Sequence, residues 1–159
     1  MKIVLDTNVL VAGLRSNQGA SYSLLRDLPM KTFCPQISVP LFLEYEAVLK
    51  RPGNLFLNHE EIDVILNVIA AVCDTVKLHY LWRPILPDPE DDMVLELAVA
   101  SNAEVIVTFN TRDFVEVERL FGIRILTPRK FWQLLREKKH EPICIETAQL
   151  IDGSGTTSG

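Results

Sequence analysis

The chain has 159 residues, 48% hydrophobic and 23% charged, with 16 Lys and Arg against 21 Asp and Glu. That composition predicts one globular domain with a sizeable core and excludes predominant disorder. No apolar run reaches the ~18–20 residues of a membrane span, and a net charge of −5 excludes nucleic-acid binding by bulk charge alone.

Lys2-Ile3-Val4-Leu5 is a short β-branched apolar run and predicts a buried strand. It stops at Asp6, too early for the apolar region of a signal peptide. Gly13, Ser16, Asn17 and Gly19 then predict loop, with Arg15 inside it. Ala20 to Leu28 predicts a short helix closed by Pro29, and Lys31 to Cys34 a second strand. Ser38 is a candidate N-cap, with Pro40 in the first turn of a helix running to about Lys50. Asn58 with Glu61 three residues later predicts a capping box. The stripe of Ile62, Ile65, Leu66, Ile69 and Val72 follows at helical spacing.

Thr75 to Leu78 predicts a third strand. Asp88 caps a helix that has Pro89 at its first position and runs to about Asn102. Val105-Ile106-Val107 predicts a buried strand ending at Thr108, and Ile123 to Leu126 another. Thr127-Pro128 opens a last helix to about Lys139. Strands alternating with helices predict an α/β fold on a mainly parallel sheet. After His140 the chain ends in Gly-, Ser- and Thr-rich sequence, so residues 1–140 are the expected domain and 141–159 a flexible extension. Cys34, Cys73 and Cys144 are scattered without metal spacing, which predicts a reduced, cytoplasmic protein.

Charge is unevenly divided. Residues 111–140 are net +4, leaving −9 for the remainder. The densest acid cluster is Asp88, Glu90, Asp91, Asp92 and Glu96. Such runs are commonly solvated helix faces, so individual positions have to decide.

Open α/β sheets bind ligands at the carboxyl ends of their strands. Asp6 and Asn110 each follow a predicted strand and emerge on one edge. On a helical wheel of roughly 100° per residue, Glu44 lies on the flank of the apolar face made by Leu41, Tyr45, Val48 and Leu49. A lone carboxylate there needs a partner, a proton or a metal. Glu46 falls by Lys50, its i,i+4 ion-pair partner. In the helix after Asp88, Asp92 and Glu96 share the one polar stripe. Asp88 and Asp91 are explained as cap and third helical residue, so Asp92 is the preferred metal ligand, Glu96 the second and Asp91 the third. Phe131, Trp132 and Tyr45 read as core packing, and the histidines as surface or cap residues.

Val4-Leu5-Asp6-Thr7-Asn8-Val9, the single inward Glu44 within Ser38–Leu49, Asp88-Pro89-Glu90-Asp91-Asp92, Val105 to Phe114, and Ile125-Leu126-Thr127-Pro128 together resemble PIN-domain ribonucleases over roughly Met1 to Leu135. The acidic Asp-Pro variant is most similar to toxin components of toxin–antitoxin systems, of the VapC type. The resemblance implies a three-layer α/β/α sandwich and an Mg²⁺- or Mn²⁺-dependent endoribonuclease. It implies RNA as substrate, an antitoxin as partner and a homodimer or higher homo-oligomer.

Carried over residue by residue, the family's acids fall on Asp6, Glu44, Asp92 and, as a departure, Asn110. Asp6, Asp92 and Glu44 would hold the metal, with Thr7, Asn8, Thr108 and Asp113 in support. Asn110 ligates through its carbonyl oxygen but removes a negative charge. Arg15 and Arg112 are candidate phosphate contacts. The alternative is a degenerate module of the same fold that binds RNA or a protein without cutting. An Asp-nucleophile phosphotransferase is disfavoured because Asn8 stands where a second Asp is required.

Overall fold

The computed structural model describes residues 1–30, 32–79, 86 and 88–140, apart from the side chains of Pro89, Glu90 and His140. Five strands form one sheet: β1 (Lys2–Leu5), β2 (Cys34–Ile37), β3 (Asp74–Thr75), β4 (Val105–Val107) and β5 (Arg124–Leu126). Their spatial order is β3-β2-β1-β4-β5, and every pairing is parallel. Parallel sheets are covered on both faces, so their central strands are continuously apolar. Ile3, Val4, Leu5 and all three residues of β4 are accordingly buried.

Seven α-helices lie among the described residues: α1 (Thr7–Arg15), α2 (Ala20–Asp27), α3 (Val39–Leu49), α4 (His59–Val72), α5 (Pro89–Ser101), α6 (Val115–Phe121) and α7 (Pro128–His140). The result is a three-layer α/β/α sandwich. α5 packs against β1, β2 and β4, and apolar residues on nearly every side of it are buried. The expected caps form: Ser38 Oγ accepts from Leu41 N at 3.4 Å. Asn58 and Glu61 close a reciprocal capping box at 2.8 Å each way.

Four boundaries differ from the sequence expectation. The loop expected after Asp6 is α1, beginning at once with Thr7 and ending on Arg15. Gly13, read as a loop marker, is buried where α1 crosses α2; a Cβ there would meet Leu25 Cδ1 at 2.5 Å. Its role is close helix approach rather than a turn.

The second strand starts at Cys34, where the expected one ended, and runs through Pro35. Cys34 N donates to Met1 O, so the missing N–H of Pro35 faces the β3 side, ahead of the first β3 pair at Gln36. The third strand spans only Asp74–Thr75, because β2 ends at Ile37 and leaves it nothing further to pair with. Between β4 and β5, where no element was expected, a 3-10 turn (Thr111–Phe114) leads into α6, which ends on left-handed Gly122 at φ 67°. Residues 141–159, the expected extension, lie outside the described residues.

Candidate active site

β1 and β4 are neighbours, yet the chain leaves β1 for β2 on one side and leaves β4 for β5 on the other. Ligands bind where a parallel sheet reverses its strand order in this way. Leu5 pairs with Val107, so Asp6 and Thr108 leave the sheet side by side. Asp6 N donates to Val107 O at 3.0 Å.

Asp6 is the N-cap of α1. Its Oδ1 accepts from Thr7 N at 2.7 Å, and its Oδ2 accepts from the Thr108 hydroxyl at 2.7 Å. Thr108 Oγ1 also accepts from Asn110 N at 3.0 Å and from Asn8 Nδ2 at 3.5 Å. Asn8 Oδ1 accepts from Phe109 N at 3.4 Å. Two strand ends are thus tied into one polar network. Burial raises the Asp6 pKa above the usual 3.8; the bonds from Thr108 and Thr7 oppose that shift, while the charges of Asp88 and Asp113 add to it.

α3 supplies Glu44. Its neighbour Tyr45 is buried and donates its hydroxyl to Leu5 O, fastening α3 to the end of β1. Burial holds the Tyr45 phenol well above its usual range, with the nearby Cys73 and Asp6 adding to the shift. Glu44 is half-buried on the wall of a cleft of about 380 Å³. Glu46 instead pairs with Lys50 at 3.0 Å, as its spacing predicts, and Lys50 reaches Asp63 of α4 at 2.6 Å.

The cleft brings together Asp6, Thr7, Asn8, Glu44 and Asn110. It also brings Asp88 and Asp91, which the sequence explained as helix-start residues. It does not bring Asp92. That residue is fully buried behind the wall, where its Oδ1 accepts from Leu86 N at 2.9 Å and holds the segment leading into α5. Glu96 is buried as well. Asp88 precedes the first residue of α5, and within the helix position 92 is turned roughly 100° from position 91. Asp113 is half-buried off the wall but close enough for its charge to act on Asp6. Arg112 is exposed and does not line the cleft.

Arg15 lines the cleft, its Nε donating to Asn54 O at 2.9 Å and its terminal nitrogen to Asn54 Oδ1. Asn54 is itself held through Nδ2 to Val48 O at 2.7 Å. Arg51 lines the same cleft and was missed in the sequence. Glu44, Val48 and Arg51 follow at i, i+4 and i+7, and that spacing was the available signal.

Among the described residues no three His, Cys, Asp or Glu side chains form a ready metal cage. Mg²⁺ does not require one: it takes one or two carboxylates and keeps its waters. A buried Asp6 whose ionisation is disfavoured, with Glu44 and Asp91 on the same cleft, is a donor set that fits such an ion. No helix of the described residues is long and apolar enough to cross a membrane.

The chain is similar in fold to a chain in the structure of VapBC2 from Rickettsia felis bound to a DNA fragment from their promoter. The TM-score is 0.54 at 18% identity, covering 80% of this chain and 98% of that one. It is similar also to a chain of VapBC-1 from nontypeable Haemophilus influenzae, with TM-score 0.55 at 15% identity and the same 80% and 98% coverage. No curated protein sequence matches significantly. A family model described as the PIN domain matches residues 2–112, which span both strand ends and every acid on the cleft wall. The chain belongs to the PIN-domain family.

Proposed function

We propose that the protein is a divalent-cation-dependent endoribonuclease and the toxin of a toxin–antitoxin pair. The observation that carries this reading is one cleft at the carboxyl edge of a parallel sheet, walled by the carboxylates of Asp6, Glu44, Asp88 and Asp91. Membership of the PIN family and the fold likeness to VapBC proteins support it.

Asp6 and Asp91 would hold the cation, with Glu44 in reach through water and Asn110 offering its carbonyl oxygen. A bound Mg²⁺ or Mn²⁺ neutralises charge on the scissile phosphodiester and lowers the pKa of water. The chain's own part is orientation. The Thr108 hydroxyl fixes one Asp6 oxygen and the Thr7 amide the other, so the carboxylate is aimed before substrate arrives. Glu44 takes a proton from the attacking water at its carboxylate. Arg15 and Arg51 face the phosphate charge from the same cleft.

The partners of this reading are single-stranded RNA as substrate, an antitoxin protein as inhibitor and a second copy of the chain. The compartment is the cytoplasm. Asn110, where the resemblance expects an acid, favours a second reading in which the module binds without cutting. The deciding experiment is cleavage of labelled single-stranded RNA with Mn²⁺. Cutting that is lost in Asp6→Asn and Asp91→Asn supports the nuclease. RNA binding with no cleavage under any divalent cation supports the second reading.

A further inference from the structure

Ala12 of α1 lines the cleft and also a second cavity, of about 760 Å³. The two hollows therefore adjoin. α7 gives the second cavity Arg129, Trp132, Gln133 and Arg136, which share one helical face. The opposite face of α7 is core: Phe131 is fully buried and meets Phe33 edge-on at 5.5 Å. Trp132, expected as core packing, is half-buried: it packs against the core and also lines the cavity.

Phe109 completes the wall. It is 49% exposed and follows directly on Thr108, and its N–H is held by Asn8 Oδ1. The network that aims Asp6 thus also sets the position of an exposed aromatic residue. A single exposed Phe needs no explanation. Two aromatic side chains and two arginines on a cavity that adjoins an acidic cleft do.

We infer that this cavity is a base-stacking subsite for the nucleotide next to the one held in the cleft, on the same single strand of RNA. Phe109 and Trp132 stack the base, and Arg129 and Arg136 hold the flanking phosphates. Aromatic faces with guanidinium groups are how proteins hold unpaired bases without reading sequence. A duplex hides its base faces and does not fit. The inference rests on the nuclease reading and names the part of the substrate beyond the scissile bond.

The test measures binding of a short fluorescein-labelled single-stranded oligoribonucleotide to full-length protein carrying Asp6→Asn, which blocks cleavage. Adding Phe109→Ala is expected to weaken binding by on the order of tenfold with an unchanged melting temperature. Phe109→Leu, which keeps apolar bulk, is expected to weaken it similarly and serves if the alanine variant does not fold. Arg129→Ala is expected to lower the salt slope by about 0.7. One abasic position in the strand should weaken binding to the parent and leave the Phe109→Ala variant unaffected.

RNA binding that is intact and indifferent to Phe109 overturns the subsite and leaves the nuclease reading standing. Equal affinity for duplex RNA overturns it too, as does displacement by polyglutamate that depends on Phe109. If the unsubstituted protein neither binds nor cuts single-stranded RNA, the nuclease reading itself fails and takes the subsite with it.

Discussion

The Thr108 hydroxyl donates to Asp6 Oδ2 at 2.7 Å, joining two residues 102 positions apart at the ends of adjacent strands. Both are buried, so this bond faces little competition from water. Thr108→Val keeps the shape and removes the donor. Bonds to charged groups contribute roughly 1.5–3 kcal/mol, and a loss of that order is expected in urea unfolding. Ribonuclease activity should fall about tenfold or more, with Thr108→Ser restoring most of it.

Asp6 gives a pH signature. Its pKa is raised in the folded chain, so the folded state holds the proton more tightly than the unfolded state. Stability from this group is therefore lost as pH rises from 3.8 through the folded value, and the ionised form opposes folding at neutral pH. Asp6→Asn keeps an N-capping side chain and removes the charge. In EDTA at pH 7 it is expected to melt higher than the parent, with the difference vanishing as pH falls towards 3.8. Millimolar Mn²⁺ should raise the melting temperature of the parent and leave Asp6→Asn unmoved. Melting curves at several pH values, with and without the cation, check both.

Asp91 and Asp92 are adjacent in sequence and separated in role. Asp91, though buried, lines the cleft, and the isosteric Asp91→Asn should abolish the Mn²⁺ response at less cost in stability than loss of the Asp92 side chain. Asp92→Ala removes the acceptor for Leu86 N inside the protein and should cost roughly 1–3 kcal/mol in urea unfolding. Equal stability in the two variants would contradict this division.

How much was legible in the chain can be judged from these same residues. β1 and β4 were clear because a strand buried on both faces must be apolar throughout, and a charge at its end then stands out. Glu44 was clear because α3 is apolar apart from Glu44 and Glu46, and the i,i+4 spacing to Lys50 explains only Glu46. α5 is apolar on nearly every side, so periodicity could not say which carboxylate faces the cleft; packing against β1, β2 and β4 decided it for Asp91. Gly13 misled because glycine marks both turns and close helix contacts, and only the neighbouring helix distinguishes them. Arg51 was signalled only by its spacing from Glu44 and Val48, and the α6 segment carries no strong local pattern. The roles proposed for Asp6, Glu44 and Asn110 rest on their placement on one cleft, which a linear reading can only anticipate through family resemblance.

The cysteines predict a chemical difference. Burial, with the charge of Asp74 adding, pushes the Cys73 thiol up to about 12, while Cys34 is exposed. Iodoacetamide at pH 8 should alkylate Cys34 and spare Cys73 until urea is added. Peptide mapping by mass spectrometry separates the two sites.

Under the nuclease reading, the sheet order has a consequence for when the protein becomes dangerous to the cell that makes it. Asp6 directly follows β1, which is synthesised ahead of the other strands, but the hydroxyl that aims it arrives only with Thr108. A nascent chain bearing the first acid, and even Glu44, still lacks β4 and the wall contributed by α5. Under the nuclease reading, the catalytic centre cannot assemble while the first two-thirds of the domain is being translated. On that reading, the order of the strands would protect the ribosome and its message from the half-made enzyme.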